Sequence, residues 1–547
     1  MTRHPADTAS RGGRSLGPRL ATAWYRSIFY QWRLGGTRVV QVLLVPSDPW
    51  PGDSEIGNAI LGGAFSFDSK EMWRGPELSI NPHCFTWLRD LKATGSKAGR
   101  RLGREMIRDW LDRFGRYDHY SWAADITAER LINWLSQYDY FCQGADDEFR
   151  GSLLRGIVRQ TRHLSRVARK TKRGAKRVRV AKSLIYVGAC LPSAQRQLDR
   201  GLTMLEDEVR HCIHPDGGTA ERCPSLQHSI LRDLIDVRST LAASLQESSP
   251  LIQGAIDRAA PMLRGMRLGD GGLGVFNGGF EEKDWQIDKT LSQSGSTGKP
   301  PGRAPHTGFQ RITAGRTTIM MDSGSPPPPG YDSRAHAGLL SFEMSVGRNR
   351  LIVNCGSSWE ESSEWSAVGR TTAAHSTLVI ENRNSSRIHG GGFSRRPATI
   401  QSDQRSQDGA SLIEASHDGY APAYGVVHVR RIYVSSNGQD VRGQDILKRA
   451  AQTRRNPKAQ FAIRFHLHPE VTIDSMSIWR KGGQIIEISR LGGGAWQFCL
   501  EGGVAIEVKD SFYQGTRNER RRTRQIVLSG EYRGTEPRAV RWAIRRR

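Results

Sequence analysis

The stretch HAGLLSFEMSVGRNRLIVNCG, His336 to Gly356, decides how the second half of this chain is read. A histidine leads into the apolar run Leu339 to Val346. A Gly347-Arg348-Asn349-Arg350 turn follows, then Leu351 to Val353, then Asn354, Cys355 and Gly356. Two short apolar runs around a glycine turn form the pattern of a β-hairpin. A histidine just before such a hairpin is either an ordinary residue that hydrogen-bonds across the sheet or part of a site.

The strand pattern continues in both directions. From about Thr307 the runs FQRITAGRTTIMMDSG, STLVIE, VVHVRRIYVSSNGQDVRGQDIL, AQFAIRFHLHP and AVRWAIRRR are short and rich in β-branched and aromatic residues, with Gly, Asn and Ser between them. Asn437-Gly438 is a hairpin signal. Upstream, from Phe67 to about Leu263, the runs MIRDWLDRF, ITAERLINWLSQYDYF, RGSLLRGIVRQTRHLSRVA, QRQLDRGLTMLEDEVRHCI and SILRDLIDVRSTLAASL carry apolar residues three and four apart, the spacing of helices. The chain of 547 residues is too long for one core. The reading is an α+β multidomain protein: a basic, partly disordered segment over 1–66, a helical domain over 67–290, a linker over 291–305 and an antiparallel β domain over 306–547.

The net charge is +25, a field that attracts polyanions without choosing among nucleic acid, anionic lipid and acidic polysaccharide. The densest basic run, Arg162 to Lys182, has almost no interleaved aromatics, and no specific nucleic-acid motif stands out. It reads as a solvated helix face or as a ligand groove. Ala21 to Leu34 is amphipathic and reads as a helix packed on its own domain or lying on a membrane surface. No apolar run is long enough to span a membrane, and no signal peptide is visible. The seven cysteines are scattered without a CxxC pair, against a disulfide framework or a zinc ribbon. GDGGLG (Gly269 to Gly274) fits a dinucleotide fingerprint but leads into VFNGGF rather than a helix, so it reads as a turn.

A set of ordered blocks carries a family resemblance. They are FTWLRDLKA (Phe85 to Ala93), AERLINWL (Ala128 to Leu135) and HPDGGTAERCPS (His214 to Ser225) in the helical half. In the β half they are HAGLLSFEM, LIVNCG, AAHSTLVI (Ala373 to Ile380), ASHDGY (Ala415 to Tyr420) and FHLHP (Phe465 to Pro469). Together they resemble the heparinase II/III-like polysaccharide lyases. The resemblance implies an incomplete (α/α) toroid followed by an antiparallel β-sandwich, a location in the cell envelope or periplasm, and an acidic polysaccharide such as a glycosaminoglycan as partner. With no signal peptide visible, a cytoplasmic location is the alternative. The chemistry implied is β-elimination by a carbon–oxygen lyase: a base takes the C5 proton of a uronate, an acid helps O4 to leave, and the sugar carboxylate is neutralised.

Position by position, the family pattern is altered. His336 falls on the second histidine of the family's His-x-His-x-Asp block, with Arg334 for the first histidine and Gly338 for the aspartate. Asn354 stands where an aspartate is usual, and His375 matches a later histidine. The resemblance therefore implies a possible structural zinc held by His336, His375, Asn354 and the neighbouring Cys355. Leu226 stands at the position of the family's acid/base tyrosine, and His228 lies about 200° further round a helix. Near the family's Asn-His pair this chain offers Lys176, Arg177 and Arg179, and Arg222 lies in the ERCPS block. The candidate catalytic residues are His336, Arg334, Tyr420, His417 and His228; the candidate substrate-binding residues are Lys176, Arg177, Arg179 and Arg222. Three functions follow: a lyase for a uronic-acid polysaccharide, a catalytically degenerate binder of such a polymer, or a scaffold or nucleic-acid-binding protein driven by charge.

Overall fold

The computed structural model describes residues 18–36, 39–63, 73, 81–247, 249–358, 364–451, 453, 458–478, 483–490, 494–517, 519–534 and 536–547. Of the segment 1–66, expected to be partly disordered, residues 18–36 and 39–63 are described and hold helices Pro18–Arg26, Ile28–Leu34 and Ser54–Leu61; the rest of it lies outside the described residues. The chain forms two compact units. One comprises residues 1–75, 80–170 and 186–198, and the other chiefly 171–185 and 199–547.

The first unit is helical. Helix Lys97–Phe114 starts where Ser96 Oγ accepts from the Gly99 amide at 2.9 Å, and it buries Met106, Ile107 and Trp110. Helix Ala124–Ser136 is buried along nearly its whole length. Helix Asp147–Val167 is capped by Asp146, whose carboxylate accepts from Phe149 N at 2.6 Å. Phe85, Trp110 and Trp134 meet edge to face, with ring centroids 5.2 to 5.8 Å apart. Arg130 sits among them, 4.1 Å from the Trp110 ring, and donates to the carbonyls of His83 and Ser121. Those bonds make a fully buried guanidinium tolerable.

The second unit joins helices to strands. Helices Pro224–Ala243, Pro250–Gly265 and Asp284–Ser294 precede the first strand, Arg303–Ala304. The last of them extends four residues into the expected linker. The hairpin of the opening stretch forms: Phe342–Val346 pairs antiparallel with Asn349–Val353, with a bulge between Met344 and Ser345. This hairpin lies in a nine-stranded sheet that also holds Phe309–Ala314, Thr317–Asp322, Lys458–Leu467, Glu519–Arg533 and Ala505–Thr516. A second, eight-stranded sheet runs in the order Val471–Ile478, Gln484–Arg490, Gly494–Leu500, Arg538–Arg546, Asp440–Arg449, Val426–Val434, Ala410–His417, Ile400–Gln407.

Residues of both sheets meet in one apolar core. Phe342 of the first sheet stacks on Trp542 of the second at 5.6 Å and 8°, and Phe465 meets the same indole edge-on at 4.8 Å. The alternation read as strand from the sequence is this inward and outward alternation. One polar network crosses the core. Asp445 accepts from Arg430, His428 and the Trp542 indole, and Arg430 donates to the carbonyls of Leu340 and Ser376. The pairing holds the buried Asp445 carboxyl well below the usual carboxylate range despite burial.

Candidate functional site

The basic run breaks at Gly174, and carboxylates and cations gather around that break. Gly174 has φ +85°, and a Cβ there would lie 2.3 Å from Glu221 Oε1, so only glycine fits. Helix Ala175–Cys190 begins immediately after it. Two carboxylates receive the helix start: Glu208 accepts from Gly174 N at 2.7 Å, and Glu221 accepts from Ala175 N at 3.2 Å. Arg173 and Arg177 pair with the buried Glu208 at 3.2 and 3.3 Å, and the Tyr331 hydroxyl donates to it at 3.0 Å.

Glu221 differs from Glu208 in its cations. Its field comes from Lys176, exposed on the helix, and from Arg334, which precedes the opening hairpin. Burial pushes its carboxyl up to about 8, the Glu208 charge adds to the rise, and Arg334 and Lys176 oppose it. The guanidinium of Arg334 is anchored by donation to the Gly278 carbonyl at 3.3 Å and also acts on Cys223, at the start of helix Pro224–Ala243. Of the expected site residues, Lys176 and Arg334 thus both act electrostatically on one glutamate, which sequence reasoning did not select. Its signal was its place at the head of the ERCPS block, Glu221-Arg222-Cys223-Pro224-Ser225.

His336, two residues after Arg334, is buried. Its Nδ1 is 3.1 Å from His375 Nε2, and His375 Nδ1 donates to the Thr371 carbonyl at 2.7 Å. That chain fixes the neutral tautomers: His336 donates from Nδ1 and keeps a lone pair on Nε2, which has no hydrogen-bond partner among the described residues. Burial lowers both imidazoles, and the His375, Arg370 and Arg334 charges lower His336 further, so it is uncharged at neutral pH.

The expected zinc ligands do not converge. Asn354 spends its amide on the Val275 carbonyl and the Ser376 amide. Cys355 faces the other way, with Sγ 3.3 Å from His466 Nδ1. At Gly338, where the family carries an aspartate, a Cβ would lie 2.5 Å from the His375 ring. Among the described residues no three His, Cys, Asp or Glu side chains gather where they could hold a metal. The donors present do not fit the implied zinc.

Six further residues of the expected site are engaged elsewhere. Tyr420 is in the sandwich core, where its hydroxyl donates to the carbonyls of Leu378 and Arg383. His417 is buried beside it, with Nδ1 accepting from Gly419 N at 3.1 Å. His228 is buried against Thr290 Oγ1 at 2.8 Å, and burial lowers it to about 4. Arg222 is a buried staple: it donates to the carbonyls of Thr307, Gly308 and Ser325 and pairs with Asp322. Arg177 and Arg179 are bound by acids, Arg177 by Asp207 and Glu208, Arg179 by Asp233 at 3.0 Å.

Residues 296–543 match the family described as heparinase II/III-like, C-terminal. The chain carries a heparinase II/III-like C-terminal domain. Its fold is that of the crystal structure of heparinase III, an incomplete helical toroid followed by a β-sandwich. The TM-score is 0.68 at 13% identity, over 96% of this chain and 89% of that one. Heparan sulfate lyase HepC from Pedobacter heparinus, in a mutant form, matches at TM-score 0.60 and 14% identity, over 96% and 88%. FtsZ-localized protein C of Caulobacter vibrioides (strain NA1000 / CB15N) is 27% identical over 551 residues, 95% of this chain and 93% of that protein.

Proposed function

We propose that this protein binds an acidic, uronic-acid-containing polysaccharide at the Lys176, Glu221 and Arg334 group and does not cleave it. One observation carries the reading: the phenol and imidazoles that would move protons are buried, while two cations flank the site. Elimination needs a base within hydrogen-bond reach of C5 and an acid at O4. Leu226 occupies the tyrosine position, Tyr420, His417 and His228 are buried, and His336 bonds to His375. Cations that neutralise a sugar carboxylate remain, and a protonated Glu221 adds a hydrogen-bond donor beside them.

The test is a panel of heparan sulfate, alginate and hyaluronan, followed by the ultraviolet absorbance of the unsaturated product and by direct binding. Expected are no product, binding to at least one polymer, and loss of that binding in Lys176→Glu/Arg334→Glu. Product from any polymer overturns the non-cleaving reading, and no binding at all overturns the site.

A second reading is favoured by the relative that spans 95% of this chain, because that relative is named for localisation to FtsZ. In it the heparinase-like fold serves division on the cytoplasmic side, and the acidic partner is a protein. A fluorescent fusion that gathers at midcell with FtsZ supports it; a fusion recovered in the periplasm opposes it and favours the envelope polysaccharide.

A further inference from the structure

The first unit carries an apolar surface that its own core does not use. Helices Pro18–Arg26 and Ile28–Leu34 meet at Ser27, whose Oγ caps the second by accepting from Tyr30 N at 3.2 Å. The second helix has two faces. Tyr30 and Leu34, four residues apart, are buried. Ile28, Phe29 and Trp32 point the other way and are 87%, 73% and 76% exposed. On the first helix Leu20 and Trp24, again four apart, are exposed too. Scattered single apolar residues on a surface are ordinary, but five large ones on one short helix pair are not.

This helix pair is already docked, so the outer face is not waiting for its own core. Tyr30 OH donates to His163 Nδ1 at 2.8 Å, and His163 Nε2 donates to the Trp122 carbonyl at 3.1 Å. Three arginines of helix Asp147–Val167 hold the far end. Arg159 donates to the Gln31 side chain at 2.8 Å, Arg162 to the Leu34 carbonyl at 3.1 Å and Arg166 to the Arg33 carbonyl at 3.4 Å. The inner face is filled and the end is fastened, which leaves a rigid platform with an apolar outer side.

The charge beside that platform names its partner. Residues 8–47 include six arginines and no acidic residue. Arg26 and Arg33 are exposed next to the aromatic residues. Aromatic and aliphatic side chains on one face with arginines at its edge are the chemistry of a helix lying in the headgroup layer of an anionic bilayer. No helix among the described residues is long and apolar enough to cross a membrane. We propose that the Pro18–Leu34 helix pair docks the protein on an anionic lipid surface, with Ile28, Phe29 and Trp32 entering the acyl boundary and Arg26 and Arg33 meeting lipid phosphates.

The experiment uses the full chain and two kinds of vesicle, pure phosphatidylcholine and an equal mixture with phosphatidylglycerol, read by co-sedimentation. The protein is expected to sediment with the anionic vesicles and much less with the neutral ones. Phe29→Ser/Trp32→Ser should keep the far-ultraviolet circular dichroism and Tm, because both side chains are exposed, and lose vesicle binding by about tenfold or more. Arg26→Gln/Arg33→Gln should lose binding to the anionic vesicles selectively. Ile28→Ser serves as the single, milder change if the double variant is unstable. Failure of the wild type to bind anionic vesicles overturns the proposal, as does unaltered binding by the folded apolar variants. Self-association abolished by Phe29→Ser/Trp32→Ser, without lipid binding, overturns it in favour of a second copy of this chain. None of these outcomes depends on polysaccharide binding.

Discussion

Glu221 takes its proton at an unusual pH because burial desolvates it, against the opposing pull of the Ala175 amide, Arg334 and Lys176, and that has two consequences with opposite readouts. Its folded pKa of about 8 lies above the ordinary 4.5, so the stability it contributes is present below about 4.5 and is lost as pH rises through about 8. In the same window the site changes charge. Below about 8 the glutamate is neutral beside Lys176 and Arg334, and above it an anion faces any polyanion. Affinity for an acidic polysaccharide should therefore fall as pH rises from 7 to 9, and Glu221→Gln should flatten that profile; a wild-type profile that is already flat, measured by titration calorimetry, excludes Glu221 from the site. At Gly338 the expectation is one of stability. The incoming Cβ of Gly338→Asp meets the His375 ring at 2.5 Å, so restoring the family's aspartate should cost roughly 1–3 kcal/mol by overpacking, seen as a lower urea midpoint. A Gly338→Asp protein of unchanged midpoint would show that His375 swings aside freely.

At the scale of elements, the sequence was most legible where one face of a strand or helix is buried. The hairpin strands Phe342–Val346 and Asn349–Val353 carry apolar residues at Phe342, Met344, Val346 and Leu351 to Val353 and are buried everywhere but Asn349, and both read as strands. Strand Ile400–Gln407 is IQSDQRSQ, with no buried position and no apolar alternation to read; Val471–Ile478 is exposed along most of its length, and its alternation slips by one between Val471/Ile473 and Met476/Ile478, at the register shift after Ile473. The helix expected over Ala21 to Leu34 is two helices, because Ser27 prefers to cap the second rather than continue the first. The site was legible only by family position. His417 and Tyr420 close a strand whose inward face is core, and nothing in SHDGY distinguishes that from a cleft. Arg222 shows the same limit. A basic residue in a family block reads as a ligand contact, yet its φ of 53° and its bonds to Thr307, Gly308 and Asp322 make it the link between helix Pro224–Ala243 and the first long strands. Arg222→Met removes one partner of a buried pair and should cost roughly 3–5 kcal/mol in denaturant unfolding, leaving Asp322 uncompensated. A loss near zero would mean that water replaces the staple.

At the scale of the whole molecule, the question is whether a net charge of +25 or the local group at Lys176 selects the partner. Bulk charge acts through a screened field with a Debye length of about 8 Å at physiological salt, so it attracts every polyanion and does so weakly once salt is present. A built site also depends on salt, but it depends on position as well. Lys176→Glu/Arg334→Glu changes the net charge by 4, from +25 to +21, and so does Arg101→Glu/Arg405→Glu, which reverses two arginines whose side chains are 80% and 81% exposed and whose ion-pair partners are Glu105 and Asp403. If the site selects, the first pair of changes should weaken binding to an acidic polysaccharide by about tenfold or more at fixed salt, the scale of losing one charge-assisted contact, and the second should have an effect of less than about twofold. Equal losses from the two, measured at the same ionic strength with a duplex DNA control that behaves like the polysaccharide, would assign binding to the field of the whole protein. In that case the heparinase-like frame would be serving as a charged scaffold, and the division-linked reading would gain over the polysaccharide one.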